Sequence, residues 1–513
     1  MERASPGPLP VPVPFTSAMS DTWYDAVVVG AGFGGLATAR ELCRRGARVA
    51  LCEALNYPGG CASTFRRGGY GFESGATLFS GFDAHQLFGR WIREDSLDVT
   101  VDWLDPLVEM RAPGLRLPVH RDRARLIDAF LAMPGAPVEP LRRFFRLQAR
   151  AADALWPLFD DPDLLPPLNV KSLLRHTGRA WTYAPLARWL GRPLGAVLAH
   201  HGLEHFTPLR TYLDALCQIT VQCSAAEAEA PFAFAAMDYY WRGTGHVRGG
   251  IGRLATALTK AIQARGGDVL LANRVRALTP VDGGWRVTAR RGELLARHVV
   301  ANVLPQDLRS LLDVPEGRLP RVDALARRVA DGWGAAMLYL VVRPPEGDSG
   351  SAHHLELVRD AGAAFTEGNH LFASMSGLSD TGHARPGQRT VTVSTHVPLK
   401  KLAGLSAEAQ GPYFTDLHAR MREGLEALAP EWMGNVVHAM TGSPRTFQRF
   451  TLREAGAVGG VPRRAGLDNY RTLGPFQAQR GLWLVGDSVF PGQSTLATAV
   501  GGVRTAASIA AAR

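Results

Sequence analysis

One stretch, DAVVVGAGFGGLATARELCRRGARVALCE from Asp25 to Glu53, limits the fold more than any other part of the chain. Its apolar run Ala26 to Val29 is short and rich in valine, the composition of a strand buried on both faces of a parallel sheet. Glycines end that run. From Gly34 onward Leu36, Ala39 and Leu42 or Cys43 recur at helical spacing, and Gly46 stops the helix. A second apolar strand, Val49 to Cys52, closes a strand-helix-strand unit. Such a unit puts the chain in the α/β class with a Rossmann-type domain.

The glycines carry chemistry as well as shape. Gly30, Gly32 and Gly35 form a GxGxxG turn, with Phe33 and Gly34 inside it, between the strand and the helix. In that setting the backbone turns tightly and approaches a pyrophosphate, and the helix N-terminus stabilises the phosphate charge. Glu53, at the end of the next strand, is placed to accept hydrogen bonds from ribose hydroxyls. This fingerprint alone does not separate NAD from FAD. A second glycine turn near the C-terminus does: the apolar strand Leu482 to Val485 runs into Gly486-Asp487-Ser488, and a helical pattern follows. An acid at Asp487 suits a ribityl hydroxyl, and the N-terminus of the following helix suits negative charge on a reduced isoalloxazine. Two phosphate-type turns at opposite ends of one chain point to FAD.

The residues between Glu53 and Thr64, EALNYPGGCAST, resemble the segment of flavoproteins related to amine oxidases and phytoene desaturases in which paired glycines lie against the FAD pyrophosphate and ribityl chain. By that likeness Ala54, Gly59, Gly60 and Thr64 join the cofactor site. The likeness extends further. VGAGFGGL, GYGFESGATLFSGF from Gly69 to Phe82, GGIGRLATAL and VGDSVFPGQ stand in the order and spacing of the phytoene desaturase and carotenoid isomerase family. GDS-x-FPGQ resembles the isomerase branch most. The resemblance covers nearly the whole chain after residue 22. It implies FAD, a long apolar polyene substrate, and a backbone contact from Val275 to the adenine side. The chain departs from the isomerase pattern where the flavin ring should sit, reading Gln493-Ser494-Thr495-Leu496 in place of a glycine after the glutamine. The resemblance therefore leaves desaturase and isomerase both open.

Along the chain, residues 1–22 are proline-rich and read as a disordered tail. Residues 23–84, 244–306 and 479–513 carry the nucleotide-domain signals, so the FAD-binding domain is expected to be discontinuous. Residues 85–243 and 307–478 are expected to form an inserted substrate domain, helix-rich in its first part and mixed in its second. MLYLVV and RTVTVSTHV read as strands there, and Ala407 to Leu428 as a helix. In the first part Leu186, Trp189, Leu190, Leu194, Val197 and Leu198 recur at helical spacing, with Arg188 and Arg192 off that face. The stripe suits either the core or a peripheral membrane contact. No apolar run approaches the roughly 18 residues of a spanning helix.

For proton transfer, His246 and Arg248 lie in MDYYWRGTGHVRGG, where the chain returns to the nucleotide domain, and are the candidate catalytic side chains beside a flavin that does the main chemistry. No metal-ligand set is assigned. No second GxGxxG unit serves a nicotinamide, so electrons taken from a substrate would leave to oxygen, a quinone or another acceptor. A net charge of +10 invites nucleic acid as a partner, but the cations are nearly all arginines scattered along the chain without a basic tract, and none is expected. Five cysteines without a CxxC pair read as reduced thiols of a cytoplasmic protein, with attachment to the inner face of the membrane left open. Two rivals share the fold: an oxidase or saturase of another lipid, natural product or amine, and a prenyl-binding protein without FAD, which the intact Gly30, Gly32, Gly35, Glu53 and Asp487 argue against.

Overall fold

A computed structural model describes residues 23–75, 77–345, 347–380 and 382–511, so the expected tail, 1–22, lies outside the described residues. Two sheets organise the chain. In the first, the strand Tyr24–Val29 lies parallel between Val49–Cys52 and Gly292–Ala301, with Val27 opposite Ala50 on one side and Val299 on the other. Asp268–Leu270 continues the parallel set beyond Val49–Cys52, and Leu482–Leu484 runs parallel to Val299–Ala301. An antiparallel meander of Val275–Val281, Gly284–Ala289 and Gly292–Ala301 and the short strand Phe476–Gln479 complete eight strands. Three separate stretches of chain therefore build one sheet. The last begins at Phe476, slightly before the expected return at 479.

The helices Phe33–Arg44, Ile251–Ala264 and Thr495–Ala511 pack together against this sheet, burying Leu36, Leu42, Leu254, Leu258, Val500 and Ile509 in one cluster with Val28 and Leu51. Each such side chain contributes about 1.5–3 kcal/mol when taken out of water. Because the central strands are parallel, Val29, Cys52, Ala301 and Leu484 all end at the same edge. Ligands of such sheets bind at that edge.

The second sheet has seven strands in the order Val436–Gly442, Trp333–Val342, Arg389–Pro398, His370–Met375, His353–Val358, Val108–Ala112, Leu115–Val119. Every neighbouring pair is antiparallel except His353–Val358 with Val108–Ala112. The two long strands and the helix Ala407–Leu428 fall where the sequence pattern puts them. That helix buries Leu417, Met421 and Leu425 in the same cluster as Leu338, Leu340 and Leu371 of the sheet. The hairpin Val108–Ala112 and Leu115–Val119 corrects the reading of its region as helical. Gly114, at φ 71°, makes the tight turn that lets this short pair join the sheet edge.

The apolar stripe is also corrected as a membrane contact. Leu186, Trp189, Leu194, Val197 and Leu198 are all buried in the helical lobe, and only Leu190 is exposed. Helical spacing identifies an apolar face, but the lobe's other helices decide that it faces inward. Among the described residues no helix is long and apolar enough to cross a membrane.

Candidate functional site

A cavity of ≈ 530 Å³ opens at the carboxyl edge of the parallel strands and continues between the two sheets. Gly30, Gly32, Phe33 and Gly34 line it where strand becomes helix. The helix Phe33–Arg44 has no side-chain cap and no acid in its first turn, so its leading N–H groups remain available to an anion. Gly35 is set back from the wall. A side chain there would place its Cβ 2.1 Å from the carbonyl oxygen of Gly30, so this glycine lets helix and strand approach. Gly59 is pinned by its N–H to the carbonyl of Ala31 at 2.8 Å, and with Gly60 it lines the same wall.

Glu53 is held by the backbone. Its Oε2 accepts from the N–H of Ala31 at 2.7 Å and its Oε1 from the N–H of Leu55 at 2.8 Å. Burial pushes its pKa up, while the N–H groups of Leu55, Ala31 and Ala54 pull the other way. Glu53, Ala54 and Val275 line the cavity at this end. At the other end stand Gly486, Asp487, Gln493, Ser494, Thr495 and Leu496. Asp487 Oδ2 accepts from Arg453 Nη2 at 2.8 Å. Burial alone would lower the pKa of Arg453, but Asp487, Cys61 and Asp307 together outweigh it and raise the value. Asp307, in turn, is pushed up to about 6 by burial.

The residues fit FAD by two tests. Backbone N–H groups converge where a pyrophosphate would lie. Gln493 Oε1 and Thr495 Oγ1 are buried on the cavity wall with no protein partner, the condition of groups that await a polar ligand. The helix Thr495–Ala511 points its N-terminus at the same place.

Besides Gly35, three expected residues lie off the cavity wall. Thr64 Oγ1 donates to Glu73 Oε1 at 3.1 Å and accepts from the N–H of Gly252 at 2.9 Å, which ties it to the start of Ile251–Ala264. Arg248 turns outward to pair with Asp102. His246 is buried beside the cavity, in a separate polar chamber, with Nε2 2.8 Å from Asp380 Oδ2. Sequence reasoning missed Arg274, Asn302, Asp307, Arg453 and Arg463, all on the wall. Asn302 alone had a local signal: it directly follows the strand that pairs with Tyr24–Val29, so it must face the glycine turn.

Residues 33–395 match the family described as flavin containing amine oxidoreductase, and the chain belongs to that family. It is an FAD-dependent oxidoreductase. It is similar, at 27% identity over 95% of this chain and 84% of the relative, to prolycopene isomerase 1, chloroplastic, of an Oncidium hybrid cultivar. It is 24% identical to phytoene desaturase (lycopene-forming) of a Paracoccus strain, over 93% of this chain and 95% of that one. Among solved structures, putrescine oxidase bound to putrescine shares the fold at a TM-score of 0.62 and 18% identity, covering 96% of this chain and 99% of the other.

Proposed function

We propose that this flavoenzyme acts on a long apolar polyene, a carotenoid or related isoprenoid, as a desaturase or a cis-trans isomerase. One observation carries the reading: the wall of the cavity passes directly from the dinucleotide glycines to Trp156, Phe159, Ile219, Phe232, Met337 and Phe372. Such a wall excludes water and orients a hydrocarbon without hydrogen bonds. Bound FAD supplies hydride or electron exchange with the substrate. The chain's own part is to hold the cofactor through the glycine turns, Glu53, Asp487 and the two helix N-termini. In this reading residues 23–84, 244–306 and 479–513 bind FAD, and 85–243 with 307–478 form the substrate domain. Similarity to an isomerase and a desaturase of carotenoids supports the substrate class.

An amine substrate fits less well. Arg463 lines the cavity, and among the described residues it has no carboxylate partner. Burial lowers its pKa to about 10, which leaves it charged near neutral pH and repulsive to an ammonium group.

A polyene resides in lipid, so the reading includes peripheral membrane contact on the inner face of the membrane. Val170, Leu173, Leu174 and Trp181 are exposed on consecutive helices, with Lys171 and Arg175 among them. Apolar side chains flanked by cations match an anionic bilayer. The chain reaches these helices through the short turn Pro162–Leu164, which follows Pro157–Asp160, whose Phe159 lines the cavity.

The test is anaerobic incubation of FAD-loaded protein with cis and all-trans carotenoids in anionic liposomes, following flavin absorbance and product geometry together. Flavin bleaching with a longer conjugated product identifies a desaturase, and geometric change that requires prereduced flavin identifies an isomerase. Turnover of amines with none of carotenoids would overturn the reading.

A further inference from the structure

A small internal chamber of ≈ 20 Å³ adjoins the large cavity, walled by Glu73, His246, His354, Ser374 and His383. Thr77 lines both spaces. Glu73 Oε2, His354 Nε2 and His383 Nε2 are buried without a protein partner, on residues only 7%, 1% and 3% exposed. Three such atoms around one polar void of this size call for a water molecule that bridges them.

From the chamber a hydrogen-bonded path runs to the cavity. Ser374 Oγ donates to Thr77 Oγ1 at 2.6 Å, and His354 Nδ1 lies 2.7 Å from Ser374 Oγ. Serine has a single hydroxyl proton, and it is given to Thr77, so Nδ1 of His354 must be the donor and Nε2 the bare acceptor. A neutral ring is what this site enforces. Burial, with His246 and His353 adding to it, holds His354 well below the ordinary histidine range. The proton of Thr77 is left free to point into the cavity. Every donor along the path therefore faces the same way.

The far end of the path holds an acid. Glu73 Oε1 already accepts from Thr64 Oγ1 and from the N–H of Ile251 at 3.2 Å, so a proton on this carboxyl belongs on Oε2, the atom that faces the chamber. Burial pushes Glu73 up to about 8, and it is therefore protonated at neutral pH. His246, fixed by Asp380, closes the chamber wall. Burial opposes the charge of Asp380, but hydrogen bonds from His246 and Gly249 hold it at about 2. His383 completes the charged and titratable surroundings, with Arg66 nearby.

We propose that Glu73 is an internal proton reservoir for the redox cavity, and that a chamber water, His354, Ser374 and Thr77 relay its proton there. The Oε2–H bond of Glu73 breaks as its proton passes to the water, which gives one to His354 Nε2. The Nδ1 proton then moves to Ser374, that of Ser374 to Thr77, and that of Thr77 to the reacting group. One bond to hydrogen is broken and one formed, no electrons move along the path, and the Glu73 carboxylate recovers its proton from solvent. Hydroxyl rotation and return of the His354 tautomer reset the path. Neither Glu73 nor His354 touches the reacting atoms, so both act through Thr77. The proposal rests on the large cavity being the place where FAD reacts, but not on the substrate being a polyene.

Bound FAD takes up one proton with the two electrons of full reduction near neutral pH, so photoreduction of the FAD-loaded protein alone tests the relay. The expected result is a proton-uptake rate with a solvent deuterium isotope effect, slowed at least about tenfold in Glu73→Gln and Ser374→Ala. FAD affinity should stay unchanged in both, and Ser374→Thr, which restores the hydroxyl, should recover the rate. In the infrared, wild-type protein should show a carboxylic-acid band that disappears as pH rises through about 8 and is missing from Glu73→Gln. Uptake as fast in both variants as in wild type, or no such band, overturns the proposal. Failure to turn over any carotenoid would overturn the polyene reading and leave this result standing, since no polyene is present.

Discussion

The FAD end of the cavity and the chamber beside the cavity hold polar groups in a dry interior by opposite means. At the edge of the eight-stranded sheet the polar groups are mostly backbone N–H groups from turns of a few residues, and Glu53 itself is fixed by the N–H groups of Ala31 and Leu55. At the seven-stranded sheet they are side chains collected from distant places: Glu73, His246, His354, Ser374 and Asp380 surround one chamber or brace its wall. The first arrangement survives as long as a local turn does. The second depends on the whole topology. Arg453 stands between them, carried by the chain near the second sheet yet paired with Asp487 of the first.

Substitutions separate the two kinds of site. The largest effect is expected from Arg453→Ala, which strands Asp487 on the cavity wall and should cost roughly 3–5 kcal/mol, read by denaturant unfolding of the apoprotein. Glu73→Gln tests the assembled side through pH. Between the ordinary carboxyl value of 4.5 and about 8 the folded chain keeps a proton that the unfolded chain releases, so wild-type stability falls as pH rises through that window. Glu73→Gln should remove this decline, which amounts to on the order of a few kcal/mol across the window, visible as melting temperatures that diverge from wild type between pH 5 and 9. On the local side, Glu53→Ala should weaken FAD binding by roughly 1.5–3 kcal/mol in a fluorescence titration. Gly35→Ala should destabilise the fold by about 1–3 kcal/mol and lower FAD retention with it, because the added carbon meets the Gly30 carbonyl. The smallest effect is expected from Trp181→Ser, which should leave FAD binding intact and reduce cosedimentation with anionic liposomes by about tenfold.

The same contrast explains what the sequence discloses. Gly30, Gly32, Glu53, Gly486 and Asp487 could be found because a turn that displays backbone N–H groups needs particular residues at particular spacings, and all five line the cavity. Valine-rich strands were legible for a similar reason. Ala26 to Val29 of the first strand and all of Trp333–Val342 but its first residue are buried, and their apolar composition says so. Arg274, Arg453 and Arg463 carry no such signature, since an arginine in a variable stretch looks the same whether it faces water or a cavity. His246 could be singled out by its place beside Gly249 and Gly250, but its contact with Asp380 arises from a distant part of the chain and puts it next to the cavity, not in it. The stripe from Leu186 to Leu198 failed as a membrane face because periodicity reports that a helix has an apolar side and does not report what covers it.

The late return of the chain to its first sheet has a consequence for how the enzyme is made. Leu482–Leu484 takes its place beside Val299–Ala301, and the closing helix lays Gly502 so close to Phe33–Arg44 that its carbonyl accepts a hydrogen bond from Thr38 Oγ1 at 3.2 Å. During synthesis, then, the glycine turn and Glu53 emerge from the ribosome hundreds of residues before the strand and helix that complete their pocket. The nascent chain must wait with an unfinished sheet edge, a state open to chaperones and prone to aggregation. A pocket built from both glycine turns cannot hold FAD until that strand and helix have been made, and FAD bound to the folded chain then stabilises it against unfolding.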